Sequence, residues 1–258
     1  MIPEVICHIM SFVDGRLLPS RWTPPFDGTD AGKLFAEYAA IGRQLETDAW
    51  MFGKATAREA FPYKFKPSTT DHPHAATIHT GNRDSSRLFI TIDPDADILY
   101  TSDRLRGDNI VTIIGTNATN DYLALLEGKG ISYIVLADPT ALDEALSVLY
   151  DEFGVRKISL QAGGIINGAM LAAGLIDELS LVIYPGIDGL SSAPSIFEYL
   201  GATDEQPGAA QSLELISSRT FDAGIVWLRY RFIKISLDFN DNRLNFTNFA
   251  LAYMTKQQ

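Results

Sequence analysis

Cysteine is almost missing from this chain. Cys7 is the only one in 258 residues, so no internal disulfide can hold the fold, and an apolar core must do so instead. Histidine is nearly as scarce, at four. Basic residues are outnumbered, 21 Lys and Arg against 32 Asp and Glu, and the net charge of -11 supplies no basic field for nucleic acid or an anionic membrane. Any bound anion must therefore be captured by a local feature. No apolar run approaches the length that spans a bilayer. A charged leader with a cleavage site is also lacking, which makes the cytoplasm the expected compartment. Internal repeats and low-complexity stretches are absent as well.

What is present is an apolar fraction of 46%, ample for one large domain. Strand-like runs occur at 5–12, 48–53, 88–93, 98–102, 110–116, 133–137, 157–160 and 179–185. Helix-like stretches at 32–45, 120–128, 140–153 and 165–174 are interleaved with them. That alternation predicts an α/β fold with a central, mostly parallel sheet. Runs at 213–221 and 224–232, turning at Asp222, Ala223 and Gly224, predict an antiparallel hairpin on that sheet. Residues 61–87 read as one long irregular loop, a candidate lid or partner contact. Residues 1–236 are expected to form a single domain, with 237–258 as an appendage.

The segment from Leu160 to Leu179 carries the most chemical information. A short strand ends at Gly163 and Gly164, and a helix follows at once. Glycine admits close backbone approach, and a helix N-terminus offers unpaired amides and a positive dipole end to an anion. A second strand ends in Gly53-Lys54-Ala55-Thr56. There Lys54 is a candidate phosphate partner, and Thr56 a candidate cap for the next helix. Thr116 and Asn117 follow another strand at its carboxyl end, where ligands of open parallel sheets lie.

Four segments in this order, MSFVDGR (10–16), TDAWMFGKAT (47–56), LFITID (88–93) and QAGGIINGAMLAAGLIDELSLVIYP (161–185), resemble the reductase domain of riboflavin biosynthesis. The resemblance covers roughly residues 4–235. It implies a dihydrofolate reductase-like three-layer sandwich, bound NADPH, hydride transfer to a small pterin-like or pyrimidine substrate, and a homodimer. It assigns Gly53, Lys54, Thr56, Thr116, Asn117, Gly163, Gly164 and Ile165 to the cofactor. Met10, Arg16, Trp22 and Gln161 fall to the substrate, and Asp14 is the candidate proton source. Several features depart from the family pattern, among them the loosely matched Arg21-Trp22-Thr23 and Ile92-Asp93-Pro94. Gln161 stands where those enzymes have Glu, Arg16 where many have Lys, and Arg43 does not align cleanly with their phosphate-binding arginine. Two other readings stay open: a catalytically silent, dimeric nucleotide-binding module, and a metal-dependent hydrolase built on His72, His74 and His79. No metal ligand set is assigned.

Overall fold

The structure, a computed structural model, describes residues 1–68, 70–71, 76–138 and 140–234. In chain order its elements are β1 (Glu4–Phe12), α1 (Ala31–Arg43), β2 (Ala49–Gly53), α2 (Lys54–Ala60), β3 (Thr77–His79), β4 (Leu88–Ile92), β5 (Arg104–Leu105) and β6 (Asp108–Gly115). Then come α3 (Asn120–Gly128), β7 (Ser132–Leu136), α4 (Leu142–Asp151), β8 (Lys157–Leu160), α5 (Gly164–Ala172), β9 (Glu178–Tyr184), β10 (Gln211–Thr220) and β11 (Val226–Lys234). One sheet runs β10-β11-β9-β1-β8-β2-β4-β6-β7-β3, with β5 paired to β6. From β9 through β7 all neighbours are parallel. Strands buried on both faces read as continuous apolar runs, and this is why β1 is buried at every position after Glu4.

Alternation along the strands sorts the core into two faces. Val5, Cys7, Ile9 and Met51 pack with Leu146 and Leu149 of α4 and Met170 of α5. On the other face Ile6, Met10 and Phe12 pack against Leu34 and Ile41 of α1. Phe52, Phe89 and Ile114 on that same face pack against Ala57 of α2 and Tyr122 of α3. Helices α1 to α3 therefore cover one face and α4 and α5 the other, a three-layer sandwich. The sequence path moves outward through β2, β4, β6 and β7, then returns to insert β8 between β1 and β2. Helices leave toward opposite faces around β8, and open sheets of this kind form their ligand crevice at that point, beyond the strands' carboxyl ends.

The C-terminal hairpin is present as expected, antiparallel and carrying a bulge between Leu215 and Ser217. Ala223 takes a left-handed conformation (φ 58°) at its turn. Three expectations need correction. Residues 98–102 do not form a strand. Ile98 makes a single bridge to Lys64, and the apolar alternation there reflects Ile98 and Tyr100, both fully buried beneath irregular backbone. Thr56 does not cap a helix, because α2 already begins at Lys54 with Gly53 as its N-cap. The long loop is interrupted by β3, which pairs antiparallel with β7 and forms the sheet's far edge. Residues 237–258, expected as an appendage, lie outside the described residues.

Candidate active site

Beyond β8 the chain stays extended, and the amide of Gln161 donates to the carbonyl of Met51 at 2.8 Å. At Gly163 it turns into α5. Gly163 is the N-cap, no side chain caps the helix, and the first-turn amides are left without intrahelical partners. A Cβ built on Gly163 would meet nothing within 4 Å. Ile165, the second residue of α5, is 53% exposed. This is an open, uncapped helix start at the crevice that the topology creates, and it fits the phosphates of a dinucleotide.

The neighbouring glycines serve a different need. A Cβ on Gly164 would lie 2.3 Å from the carbonyl oxygen of Ser195 and 2.9 Å from Glu198 Cγ, and the Glu198 amide donates to the Gly164 carbonyl at 2.8 Å. Gly164 thus lets the segment around 195–198 dock on α5. Gly53, on the next strand, faces Ile166 Cδ1, which would be 2.7 Å from an added Cβ. Of the three glycines assigned to the cofactor, only Gly163 faces open space.

Lys54 is engaged within the chain. Its Nζ lies 3.3 Å from Asp93 and 2.6 Å from Asp95, and it also contacts Asp97. Arg58 and Lys64 bind Asp97 as well, at 2.6 and 3.1 Å. Burial lowers the lysine pKa, but the bonds to Asp95 and Asp97 and the charge of Asp93 outweigh it and raise it. Asp93 is fully buried, and desolvation lifts its pKa against the amide of Ile98 and the charge of Lys54. For Asp97 partial burial pushes upward, yet the three cations prevail and hold its carboxyl at about 2. Thr116 and Asn117 follow β6, two strands beyond β2 along the same edge. Thr116 is half-buried and Asn117 exposed.

A cleft of about 490 Å³ opens beside this edge, between α1 and the sheet. Gln161 and Thr56 line it, together with Phe35, Tyr38, Trp50 and Phe52. Gln161 Nε2 donates to Ser159 Oγ at 3.1 Å. His8 forms the sealed floor, fully buried and stacked on Tyr38 at 4.3 Å. Its Nδ1 is 3.0 Å from Ser180 Oγ, its Nε2 3.4 Å from the Tyr38 carbonyl, and Trp227 Nε1 donates to the same Ser180 hydroxyl at 2.8 Å. A carbonyl can only accept, so the proton sits on Nε2 and Ser180 donates to Nδ1. Burial presses the imidazole pKa down to about 4 against these two bonds.

Of the residues assigned to the substrate, only Gln161 lines this cleft. Met10 is buried in the core. Trp22 stacks on Phe35 at 4.9 Å, and so backs the cleft wall. Arg16 donates to the Ala193 carbonyl at 2.5 Å. Asp14 is exposed, accepts from the Gly189 amide at 2.8 Å, and has its pKa lowered first by that bond. Such a carboxyl clamps the loop at 189 and is a poor proton donor at neutral pH. His8, Tyr38, Arg43, Trp50 and Arg106 were not foreseen as site residues. A polar residue interrupting the apolar alternation of β1, and aromatics two apart in β2, were the available signals. For the metal reading, His72 and His74 lie outside the described residues, and His79 stacks on Tyr133. Among the described residues no group of His, Cys, Asp and Glu is placed to hold a metal ion.

Comparison with known proteins agrees with this architecture. A pyrimidine reductase-like protein from Corynebacterium diphtheriae is 19% identical with a TM-score of 0.62, over 90% of this chain and 92% of that one. A RibD structure from Acinetobacter baumannii gives 18% identity and a TM-score of 0.55, over 90% of this chain but 58% of the longer one. The riboflavin biosynthesis reductase Rib7 of Saccharomyces cerevisiae gives 14% and 0.54, over 90% of both. At these identities the likeness establishes the fold, which is dihydrofolate reductase-like. The family model described as the RibD C-terminal domain matches residues 3–227, and the chain therefore belongs to the RibD C-terminal domain family.

Proposed function

We propose that the protein is an NADPH-dependent reductase acting on a small pyrimidine-like or pterin-like substrate. The observation that carries this reading is the open, uncapped start of α5 at Gly163, directly beside an aromatic cleft that Gln161 joins to it. When bound, the nicotinamide cofactor supplies the hydride. The residues of the chain bind and orient. Gly163 and the first-turn amides of α5 hold the diphosphate, Ile165 gives an apolar cover, and Thr56, Thr116 and Asn117 continue the surface along the strand ends. Gln161 presents an amide to the substrate, and Phe35, Trp50 and Phe52 exclude water. Asp14 is left out of the proton path because its carboxyl stays ionised.

The cofactor preference is the finer part of the reading. Lys54 reaches a 2′-phosphate only by exchanging Asp95, whose side chain is 72% exposed, while Asp93 stays buried against it. The proposal includes a cytoplasmic homodimer, with residues 1–236 acting as one domain and 237–258 as an appendage. Titration of the purified protein with NADPH and NADH, followed by tryptophan fluorescence, tests the first part. Oxidised pterins and aminopyrimidines screened for NADPH oxidation test the second. Tighter NADPH binding with turnover is expected. Absence of binding by either cofactor sinks the reading, and tight binding without turnover of any such substrate favours the silent module. Light scattering should return twice the chain mass, before and after removal of 237–258.

A further inference from the structure

We propose that Asn167 is a positioning residue: through the segment 193–198 it ties the first turns of α5 to the exit of β1, so that the cofactor helix and the cleft wall keep one fixed spacing. That α5 carries the cofactor rests on the reductase reading; the tie itself does not. β1 lies between β9 and β8 in the sheet, and the chain leaving β9 crosses the end of β1 to reach α5, which follows β8. It is fastened on the way. The Val13 amide donates to the Gly186 carbonyl at 2.9 Å, and the Leu17 amide to the Pro194 carbonyl at 3.0 Å. Arg16 donates to the Ala193 carbonyl and forms a bridge with Ser195. Further along, Arg21 pairs with Asp188 at 2.5 Å, and Trp22 stacks on Phe35 in the cleft wall.

At its other end the segment lies directly on α5. The Glu198 amide donates to the Gly164 carbonyl at 2.8 Å, and a Cβ on Gly168, one turn further, would collide with the carbonyl of Glu198. Asn167 stands between those two glycines and is fully buried. Its Nδ2 donates to the carbonyl of Ile196 at 3.0 Å, and a carbonyl can only accept, which fixes the amide's orientation. Its Oδ1 is buried without a hydrogen-bond partner among the described residues. An unpaired buried oxygen is unfavourable, and leucine would fill a similar volume without that cost, so the contribution of this amide is its bond to Ile196. The segment also braces itself, with the Ser195 amide donating to Glu198 Oε1 at 3.2 Å and the Ser195 hydroxyl to the Phe197 carbonyl at 2.9 Å. A short braced segment held at both ends passes a displacement of one end to the other. Hydride transfer needs its reacting atoms held about 3 to 3.5 Å apart, and a fixed spacing between α5 and the cleft wall serves that need.

The test is amide hydrogen exchange in the full chain, with and without NADPH. Asn167→Leu removes the donor at similar volume and should speed exchange at the amides of both Glu198 and Leu17 about tenfold, the worth of one hydrogen bond. Gly168→Ala presses on the Glu198 carbonyl and should act in the same direction, and it stands in if the leucine variant fails to fold. Gln211→Leu is the control. Gln211 Nε2 donates to the Leu171 carbonyl near the far end of α5 at 2.9 Å, and its Oε1 is likewise buried and unpaired, so the same kind of bond is lost from the same helix and both amides should be unchanged. NADPH should slow exchange at Leu17 in the wild type and not in Asn167→Leu, with Kd held within about threefold because the released state is a minority in both proteins. Faster exchange at Glu198 alone would confine Asn167 to a local structural role and overturn the proposal. An equal effect in Gln211→Leu, meaning a general loosening of α5, overturns it too, as does NADPH binding that adds no protection at Leu17. If NADPH does not bind at all, the reductase reading falls, while exchange in the three variants still decides whether the tie exists.

Discussion

Acidification should expose the buried imidazole of His8 as a specific weak point. Its pKa falls from an ordinary 6.5 to about 4 because burial excludes the charged ring. Its two nitrogens meet a hydroxyl and a carbonyl, and no carboxylate is hydrogen-bonded to it to compensate a proton. Between those two values the unfolded chain binds a proton at His8 that the folded chain refuses. Stability is therefore complete above about pH 6.5 and is lost as pH falls toward 4. At about 1.4 kcal/mol per pH unit across that window, the loss is about 3 kcal/mol, a large part of the stability of an ordinary domain. Asp97, held at about 2, gives way only below the usual carboxylate value of 3.8, so the two windows do not overlap. The measurement is urea unfolding at intervals from pH 8 to pH 4, for the wild type and for His8→Leu. Leucine leaves the Trp227–Ser180 bond in place and removes the titration, so its stability should be flat where the wild type declines. Parallel decline of both proteins from pH 6.5 to 4 refutes the reasoning.

The glycine pair should separate cleanly. Gly164→Ala forces a methyl against the Ser195 carbonyl and should cost about 2 to 3 kcal/mol in unfolding experiments, whereas Gly163→Ala should stay within about 1 kcal/mol of wild type and weaken NADPH binding; the reverse pattern would show that the open side has been misassigned. Lys54→Ala strands the buried Asp93 and should destabilise the fold by about 2 kcal/mol, discounted for the lysine's partial exposure. An unchanged urea midpoint contradicts that. Asp14→Asn should leave turnover close to the wild-type rate, since loss of a true acid–base group costs about a hundredfold or more; a drop of that size would return Asp14 to the mechanism.

The parallel strands were legible because burial on both faces leaves unbroken apolar runs, as in β1, β6 and β7. The glycine junction was legible because a strand, a glycine pair and a helix follow one another directly. The difference between Gly163 and Gly164 was not, since it depends on residues 195–198, thirty positions away. Lys54 misled for a similar reason: a cation after a glycine turn invites a phosphate, but Asp93, Asp95 and Asp97 reach it from the end of β4. Tyr100 misled in the other direction. Its burial mimics a strand residue, yet its hydroxyl is held by Thr91 and Thr112 in a segment that, among the described residues, makes a single bridge and no strand. The cleft itself joins α1, β1, β2, α2, the segment just after β8 and the β5–β6 turn, and no local pattern announces so dispersed a meeting.

The late insertion of β8 has a kinetic consequence. β1 pairs only with β8 and β9, at separations such as Val5 to Ile158 and Phe12 to Tyr184. Until residues 157–184 have been synthesised, both of its edges carry unpaired backbone and an almost wholly apolar sequence. β2, β4, β6 and β7, by contrast, can form a sheet among themselves as they emerge. Long-range pairing of this kind slows folding and leaves an adhesive edge open meanwhile. A chain stopped before residue 157 should thus be captured by chaperones or aggregate through β1, and the earliest strand of the sequence is among the last to acquire its neighbours.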